Sequence, residues 1–196
     1  MQDMVVGAPW KRVGIDLTGR HPRSRRGNFY ILTYVDHFTK FAEAYFVPTI
    51  EAETTCRVLV EEIIPRFGVP SQLLTDQGQV FDNIDNRLMK GLCEVYTIDK
   101  IRTSAYKTST NGATEHLHRT LNCVLEKVVS ELQKDWDIKV PAVMAAYRAT
   151  IHEATGYSPN FLMFGRELRA PIDLVWGGPG MLNMPIRTNL WRQFAF

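Results

Sequence analysis

Trp10-Lys11-Arg12-Val13-Gly14-Ile15-Asp16-Leu17-Thr18 alternates strictly, with Val13, Ile15 and Leu17 on one parity and Arg12, Gly14, Asp16 and Thr18 on the other. A period of two marks a β-strand with one face buried. Asp16 stands near its middle between aliphatic neighbours, where a carboxylate needs a partner, a cation or access to solvent. Two more strands follow closely, Phe29 to Val35 and Lys40 to Val47, parted by the tight turn Asp36-His37-Phe38-Thr39. Three strands with short links predict an antiparallel meander. Asp36 closes a strand ahead of a turn, where aspartate is favoured by hydrogen bonding to backbone, and reads as structural. Arg20, Arg23, Arg25 and Arg26 crowd the link between the first two strands and read as a solvated loop in preference to a DNA groove, two readings that are compatible.

Beyond Pro48-Thr49, the residues Ala52, Cys56, Leu59, Val60, Ile63, Ile64 and Phe67 recur at helical spacing. Pro65 lies inside that helix and is expected to kink or end it, with Gly68 beyond. Ser71 to Thr75 predicts a short buried strand stopped by Asp76-Gln77-Gly78. Leu88, Leu92 and Val95 predict a helix, and Ile98 to Thr103 a fifth strand. Next comes Thr110-Asn111-Gly112-Ala113-Thr114-Glu115, the start of a long helix capped by Asn111 or Gly112. Leu117, Leu121, Val124, Leu125, Val128 and Leu132 form its apolar face. Glu115, Arg119, Asn122 and Glu126 form a second stripe. A last helix spans Asp135 to Thr150 with Val140, Val143, Met144 and Tyr147, and from Gly156 the pattern loosens. The expected class is α/β: a mixed five-stranded sheet, three antiparallel strands then two more, flanked by helices.

Composition narrows the class. With 45% hydrophobic and 22% charged residues the chain has the make-up of a globular domain. No apolar run approaches the ~20 residues that cross a bilayer, so no membrane partner is expected. Met1-Gln2-Asp3-Met4 lacks the basic start and apolar core of a signal peptide. Cys56, Cys93 and Cys123 are odd in number and widely spaced, which suggests buried thiols and not a disulfide frame. None of them is set with His21, His37, His116, His118 or His152 at zinc-ligand spacing. A net charge of +2 does not by itself argue for nucleic acid.

The chemistry-bearing residues are Asp16 on the first strand, Asp76 at the end of the fourth and Glu115 in the first turn of a helix. Strand ends and helix starts are where functional groups gather in mixed sheets. Three carboxylates brought together repel unless protonated or neutralised by metal. Their hard oxygens suit Mg²⁺ or Mn²⁺. Two such ions roughly 3.5–4 Å apart serve in-line displacement at a phosphodiester. With 21 acidic residues many such triples exist, so spacing alone does not select this one. No Gly-x-x-x-x-Gly-Lys phosphate loop is present.

The chain resembles the catalytic core of retroviral and gypsy-type retrotransposon integrases. The stretches that carry the likeness are Trp10 to Asp16, Tyr34-Val35-Asp36-His37-Phe38-Thr39-Lys40-Phe41, Arg66-Phe67-Gly68-Val69-Pro70, Thr75-Asp76-Gln77-Gly78 and Asn111 to Glu115. Thr155-Gly156-Tyr157-Ser158-Pro159-Asn160-Phe161-Leu162-Met163-Phe164-Gly165-Arg166 is similar to the segment after the gypsy-type core. The resemblance implies an RNase H-like fold over residues 1–176, with 177–196 an irregular tail. It implies that Asp16, Asp76 and Glu115 are the catalytic ligands of two Mg²⁺ or Mn²⁺ ions. Arg119, Asn122 and Lys107 are the implied nucleic-acid contacts, Lys107 reading equally as a solvated loop residue. Double-stranded DNA, from element ends and target, is the implied substrate. A homo-oligomer is the implied working form, and the nucleus the implied location.

The chain departs from that pattern at Lys107-Thr108-Ser109, where such elements usually read His-Pro-Gln, and at His116, commonly arginine. The interval from Asp76 to Glu115 is longer than usual, the surplus falling in Asp82 to Arg87. No N-terminal zinc-binding module and little of a C-terminal DNA-binding module are seen, which suggests a piece of a polyprotein. Two other readings stay open: a catalytically degenerate, element-derived domain that binds nucleic acid or protein, and an RNase H-type nuclease.

Overall fold

The computed structural model describes residues 7–75, 86–102, 117, 121 and 134–169. Five strands form one sheet: β1 (Arg12–Thr18), β2 (Tyr30–Asp36), β3 (Ala42–Val47), β4 (Gln72–Thr75) and β5 (Asp99–Arg102). Their order across the sheet is β3-β2-β1-β4-β5. β1, β2 and β3 pair antiparallel, and β4 and β5 add in parallel to β1. The expected mixed sheet, three antiparallel strands and then two more, is the sheet observed.

The alternation of β1 decides what each face carries. Val13 and Ile15 bury into a cluster with Leu32, Tyr34 and Leu73, which is covered by Cys56, Leu59, Ile63, Met89 and Cys93. The opposite face buries Ile31, Val35 and Ala42 under Leu117, Leu121, Trp136, Val140 and Met144. The sheet is therefore the middle layer of three, with helices on both sides.

Pro65 neither ends nor breaks its helix. α1 (Ala52–Val58) runs through a π-helical turn, Leu59–Ile63, into α2 (Ile64–Phe67). Proline lacks the N–H that an α-helix would use at that point, and its ring crowds the carbonyl four residues back. The wider π turn just ahead of Pro65 relieves that conflict. The chain then leaves the helix at Gly68, with φ at 83°.

Other expectations shift by particular residues. β2 runs from Tyr30 to Asp36, not from Phe29 to Val35. Lys40, expected to open the third strand, has φ at 62° and donates its N–H to the Asp36 carbonyl, so β3 begins at Ala42. The helix expected from Leu88, Leu92 and Val95 exists as α3 (Asn86–Val95), but its buried stripe is Met89 and Cys93. Leu88 and Val95 are exposed. α4 (Trp136–Ala149) holds Pro141 in its interior at a cost of about 3 kcal/mol. Burial of Trp136, Val140 and Met144, at roughly 1.5–3 kcal/mol each, outweighs that cost. Past Gly156 the chain is more regular than expected. Ser158 caps α5 (Pro159–Phe164) by accepting the Phe161 N–H at 3.0 Å, and Phe164 meets Phe41 edge-on at 5.3 Å. The tail at 177–196, the strand end at Thr103, the turn Asp76-Gln77-Gly78, and Cys123, His116 and His118 lie outside the described residues. Cys56 and Cys93 are free, buried thiols.

The Asp36 turn is closed by its own side chain. Oδ2 accepts from the Thr39 N–H at 3.0 Å and the Thr39 hydroxyl at 2.6 Å, and Oδ1 from the Phe38 N–H at 3.3 Å. The structural reading of Asp36 holds. His37, next to it, has a buried Nε2 with no hydrogen-bond partner among the described residues. Burial, then the charges of Lys40 and Arg12, lowers its pKa to about 4. A histidine lowered in the fold charges first in the unfolded chain, so stability falls as pH drops from about 6.5 through 4. The loss approaches roughly 3 kcal/mol below that window. Urea denaturation of His37→Gln at pH 7 and pH 4.5 is expected to show a smaller acid-induced loss than the parent chain; an equal loss would remove His37 as the cause.

Candidate active site

β1 brings Asp16 to the middle of the sheet, half-buried, with β2 on one side and β4 on the other. The Leu17 N–H donates to Asp16 Oδ1 at 2.7 Å, which fixes the carboxylate against its own strand. On the β2 side Asp16 sits opposite Thr33, whose hydroxyl donates to the Asp16 carbonyl at 3.2 Å. On the β4 side Ile15 pairs with Thr75, the last residue of β4. Asp16 and Asp76 are the next residues after that pair in their two segments.

The pleat puts Asp16 on the parity of Arg12 and Gly14, the face that also shows Ile31, Thr33 and Val35. Leu117 and Leu121 cover this face. Both are helical, four residues apart and fully or almost fully buried. Glu115 stands two residues ahead of Leu117 in the chain.

Of the residues assigned from the sequence, the structure describes Asp16. Asp76, Glu115, Lys107, Arg119 and Asn122 lie outside the described residues. Among the described residues no group of three or more His, Cys, Asp or Glu side chains could hold a metal ion.

The link that leaves β1 shows what sequence reasoning missed. Residues 19–29 are fastened to the start of α4 by a buried carboxylate, Asp137. Its Oδ2 accepts from the Ser24 hydroxyl at 2.6 Å and from Asn28 Nδ2 at 2.9 Å. Trp136 Nε1 donates to the Pro22 carbonyl at 2.8 Å, and the Arg25 N–H to the Lys134 carbonyl at 2.9 Å. His21 stacks obliquely on Trp136 at 5.1 Å, and burial lowers its pKa. An acid in the first turn of a helix is ordinary at the sequence level. Nothing local showed that Asp137 is buried against a loop more than a hundred residues earlier.

The integrase core domain family matches residues 8–140. The chain is 29% identical over 160 residues to the retrovirus-related Pol polyprotein from transposon 412 of Drosophila melanogaster, covering 82% of this chain and 13% of that protein. It is 34% identical over 160 residues to the Gag-Pol polyprotein of koala retrovirus, covering 81% of this chain and 9% of that protein. The chain thus spans only about a tenth of the length of these curated relatives. Its fold is that of the HTLV-2 integrase catalytic core domain, solved in complex with magnesium in a trimeric form: TM-score 0.60, 15% identity, 80% of this chain and 97% of that one.

Gly19 lets the loop leave β1. Its φ is 138°, and a Cβ there would lie 2.8 Å from the Phe29 carbonyl oxygen and 2.7 Å from the Tyr30 ring. Gly19→Ala is expected to lower stability by about 1–3 kcal/mol. A urea midpoint that does not fall in this variant would contradict the tight passage at Gly19.

Proposed function

The chain belongs to the integrase core domain family, and from that membership we propose that it is the catalytic core of a retroelement integrase, trimming element DNA ends and joining them to target DNA. The observation that supports this most is the register of β1 on β4. With Ile15 beside Thr75, a carboxylate follows directly in both segments, on a sheet whose Asp16 face is covered by Leu117 and Leu121. Glu115 precedes the first of those leucines closely enough in sequence to complete the set.

The donors Asp16, Asp76 and Glu115 are all hard oxygens, which fit Mg²⁺ or Mn²⁺ and not a thiolate-seeking ion. A pair of such ions, when bound, lowers the pKa of an attacking water or 3′-hydroxyl and supports the departing 3′-oxygen. The protein's own part is to orient. The Leu17 N–H holds Asp16 Oδ1, and Thr33 braces the strand behind it. Arg119, Asn122 and Lys107 take the role of phosphate contacts, which fix DNA position and carry little sequence preference. Water attacks first to trim an end; the freed 3′-hydroxyl then attacks target DNA. That second step exchanges one phosphodiester for another, so it needs no nucleotide hydrolysis. Double-stranded DNA is the substrate, the nucleus the place of action and a homo-oligomer the working form.

Lys107-Thr108-Ser109 and His116 favour one competing reading, an element-derived domain that binds DNA without cutting it. The nuclease reading is opposed by the segment after α4. A simple RNase H has no need of it, yet here it is capped, folded and packed on Phe41.

Glu115→Gln is expected to reduce Mg²⁺- or Mn²⁺-dependent joining of labelled DNA ends at least about 100-fold, the scale of losing one group that stabilises transition-state charge. Its thermal melt should match the parent's. A parent chain that binds DNA but neither cuts nor joins it in either metal would leave the binding-domain reading in place. Calorimetric Mg²⁺ titration insensitive to Asp16→Asn and Asp76→Asn would remove the catalytic one.

A further inference from the structure

We propose that the β1–β2 loop is a preformed clamp for the phosphate backbone of duplex DNA, with Arg23, Arg25 and Arg26 as its contacts and Asp137 as the residue that positions them. The identity of the polyanion rests on the DNA-joining reading above; the shape and charge of the loop do not.

The loop's charge is one-sided. Arg20, Arg23, Arg25 and Arg26 are all exposed, and no acidic residue occurs between Leu17 and Asn28. Among the described residues none of the four guanidinium groups meets a carboxylate. Elsewhere Arg66 pairs with Glu62 and Arg148 with Glu43, each at 2.8 Å. Arg20 instead lies over the Phe29 ring at 4.6 Å, which leaves Arg23, Arg25 and Arg26 for an outside partner. Exposed Lys134 stands beside them, its carbonyl accepting the Arg25 N–H. Like charges this close repel, and a polyanion relieves that repulsion while releasing its counterions.

The loop is also held more firmly than a merely solvated one requires. Ser24 is buried and uses its hydroxyl twice, donating to Asp137 and accepting the Asn28 N–H at 3.0 Å. Asp137 is fully buried, yet among the described residues its Oδ1 has no hydrogen-bond partner. An unsatisfied buried oxygen costs about 1–3 kcal/mol. An apolar residue there would avoid that cost but would release Ser24 and Asn28. Asp137 therefore fixes loop geometry at some expense of stability. The loop starts three residues after Asp16, and Arg23, the first proposed contact, follows seven residues after it, within about 25 Å by chain length alone. A backbone gripped here is within reach of the proposed centre.

The test is fluorescence anisotropy of the 196-residue chain with a labelled DNA duplex across a KCl series. EDTA is kept present, so that a chain unable to cut DNA is still tested. The triple variant Arg23→Gln, Arg25→Gln, Arg26→Gln should bind at least about tenfold more weakly at 100 mM salt, and its salt slope should flatten by about 2–3. Arg57→Gln with Lys90→Gln, exposed on the opposite layer, should leave both quantities unchanged. Asp137→Ala, with every arginine kept, should lose part of the slope and speed hydrogen exchange at the Arg25 and Asn28 amides. If it fails to fold, Asn28→Ala removes one of the two side-chain anchors and should show the same direction. An unchanged slope in the triple variant overturns the clamp, as does an equal loss in the distant pair. Arginine-dependent binding of single-stranded RNA, with duplex DNA indifferent to the arginines, overturns the assignment to DNA.

Discussion

The parallel pairing of β1 with β4 is the constraint from which the rest follows. Side chains alternate across a strand with a period of two, so a slip of one residue would turn Asp16 to the other face. That face is the aliphatic cluster of Val13, Ile15, Leu59, Ile63 and Leu73, where an unpaired charge would cost several kcal/mol. The register is also pinned at its start, where Arg12 Nε donates to Gln72 Oε1 at 2.8 Å and the Gln72 N–H to the Lys11 carbonyl at 2.8 Å. One face resists the slip by burial, the other by polarity. Asp16 stays where solvent and partners can reach it.

The second face sets what stands above Asp16. Leu117 and Leu121 pack with Ile31 and Val35, the residues on either side of Thr33 in β2. Each leucine contributes about 2 kcal/mol by leaving water. Trp136 extends the same layer and does two further things: its ring meets Phe46 at 5.8 Å, and its N–H holds Pro22. The start of α4 thus ties the sheet's outer strand to the β1–β2 loop. Arg148 near the end of α4 completes the attachment, reaching Glu43 and the Ala42 carbonyl on β3.

What was legible was local. The alternation in β1 needs no partner to be seen, and with two further short strand-like runs the short links left only a meander. The helix at Asn86–Val95 was legible, but its face was not. Leu88, Leu92 and Val95 keep helical spacing as well as Met89 and Cys93 do, yet of that set only Leu92 packs on the core, and the position of α1 decides which residues are covered. The π turn before Pro65 is a compromise between a proline and a continuous apolar stripe, and no propensity encodes it. Ser158-Pro159 with Gly165 carried the cap, first-turn and stop signals of a helix, which six residues are too few to announce by period. For the site, pattern alone singled out Asp16 as a charge in an apolar strand. Its grouping with Asp76 and Glu115 came from family likeness, because nothing local says which of many carboxylates converge. Asp137 was invisible for the same reason: its importance lies in a distant loop.

The proposed grouping of Asp16, Asp76 and Glu115 would repel a phosphate backbone, and this bears on where the chain keeps its positive charge. A net charge of +2 spread over the surface offers little attraction. Unit charges 10 Å apart in water interact by about 0.4 kcal/mol, and salt at physiological strength screens much of that beyond about 8 Å. Only charges close to the carboxylates can offset their repulsion of a phosphate backbone. Four arginines stand in the link that leaves Asp16's own strand, nearer to it in sequence than any basic residue of α1 or α3. Long side chains on a slack loop would spread their charge and lose entropy on binding. In the proposed clamp, a buried anchor at Asp137 meets that cost in the folding of the domain, before any polyanion binds. In the proposed arrangement the basic loop and the acidic site are two halves of one electrostatic design, joined through β1, with the loop fastened by α4.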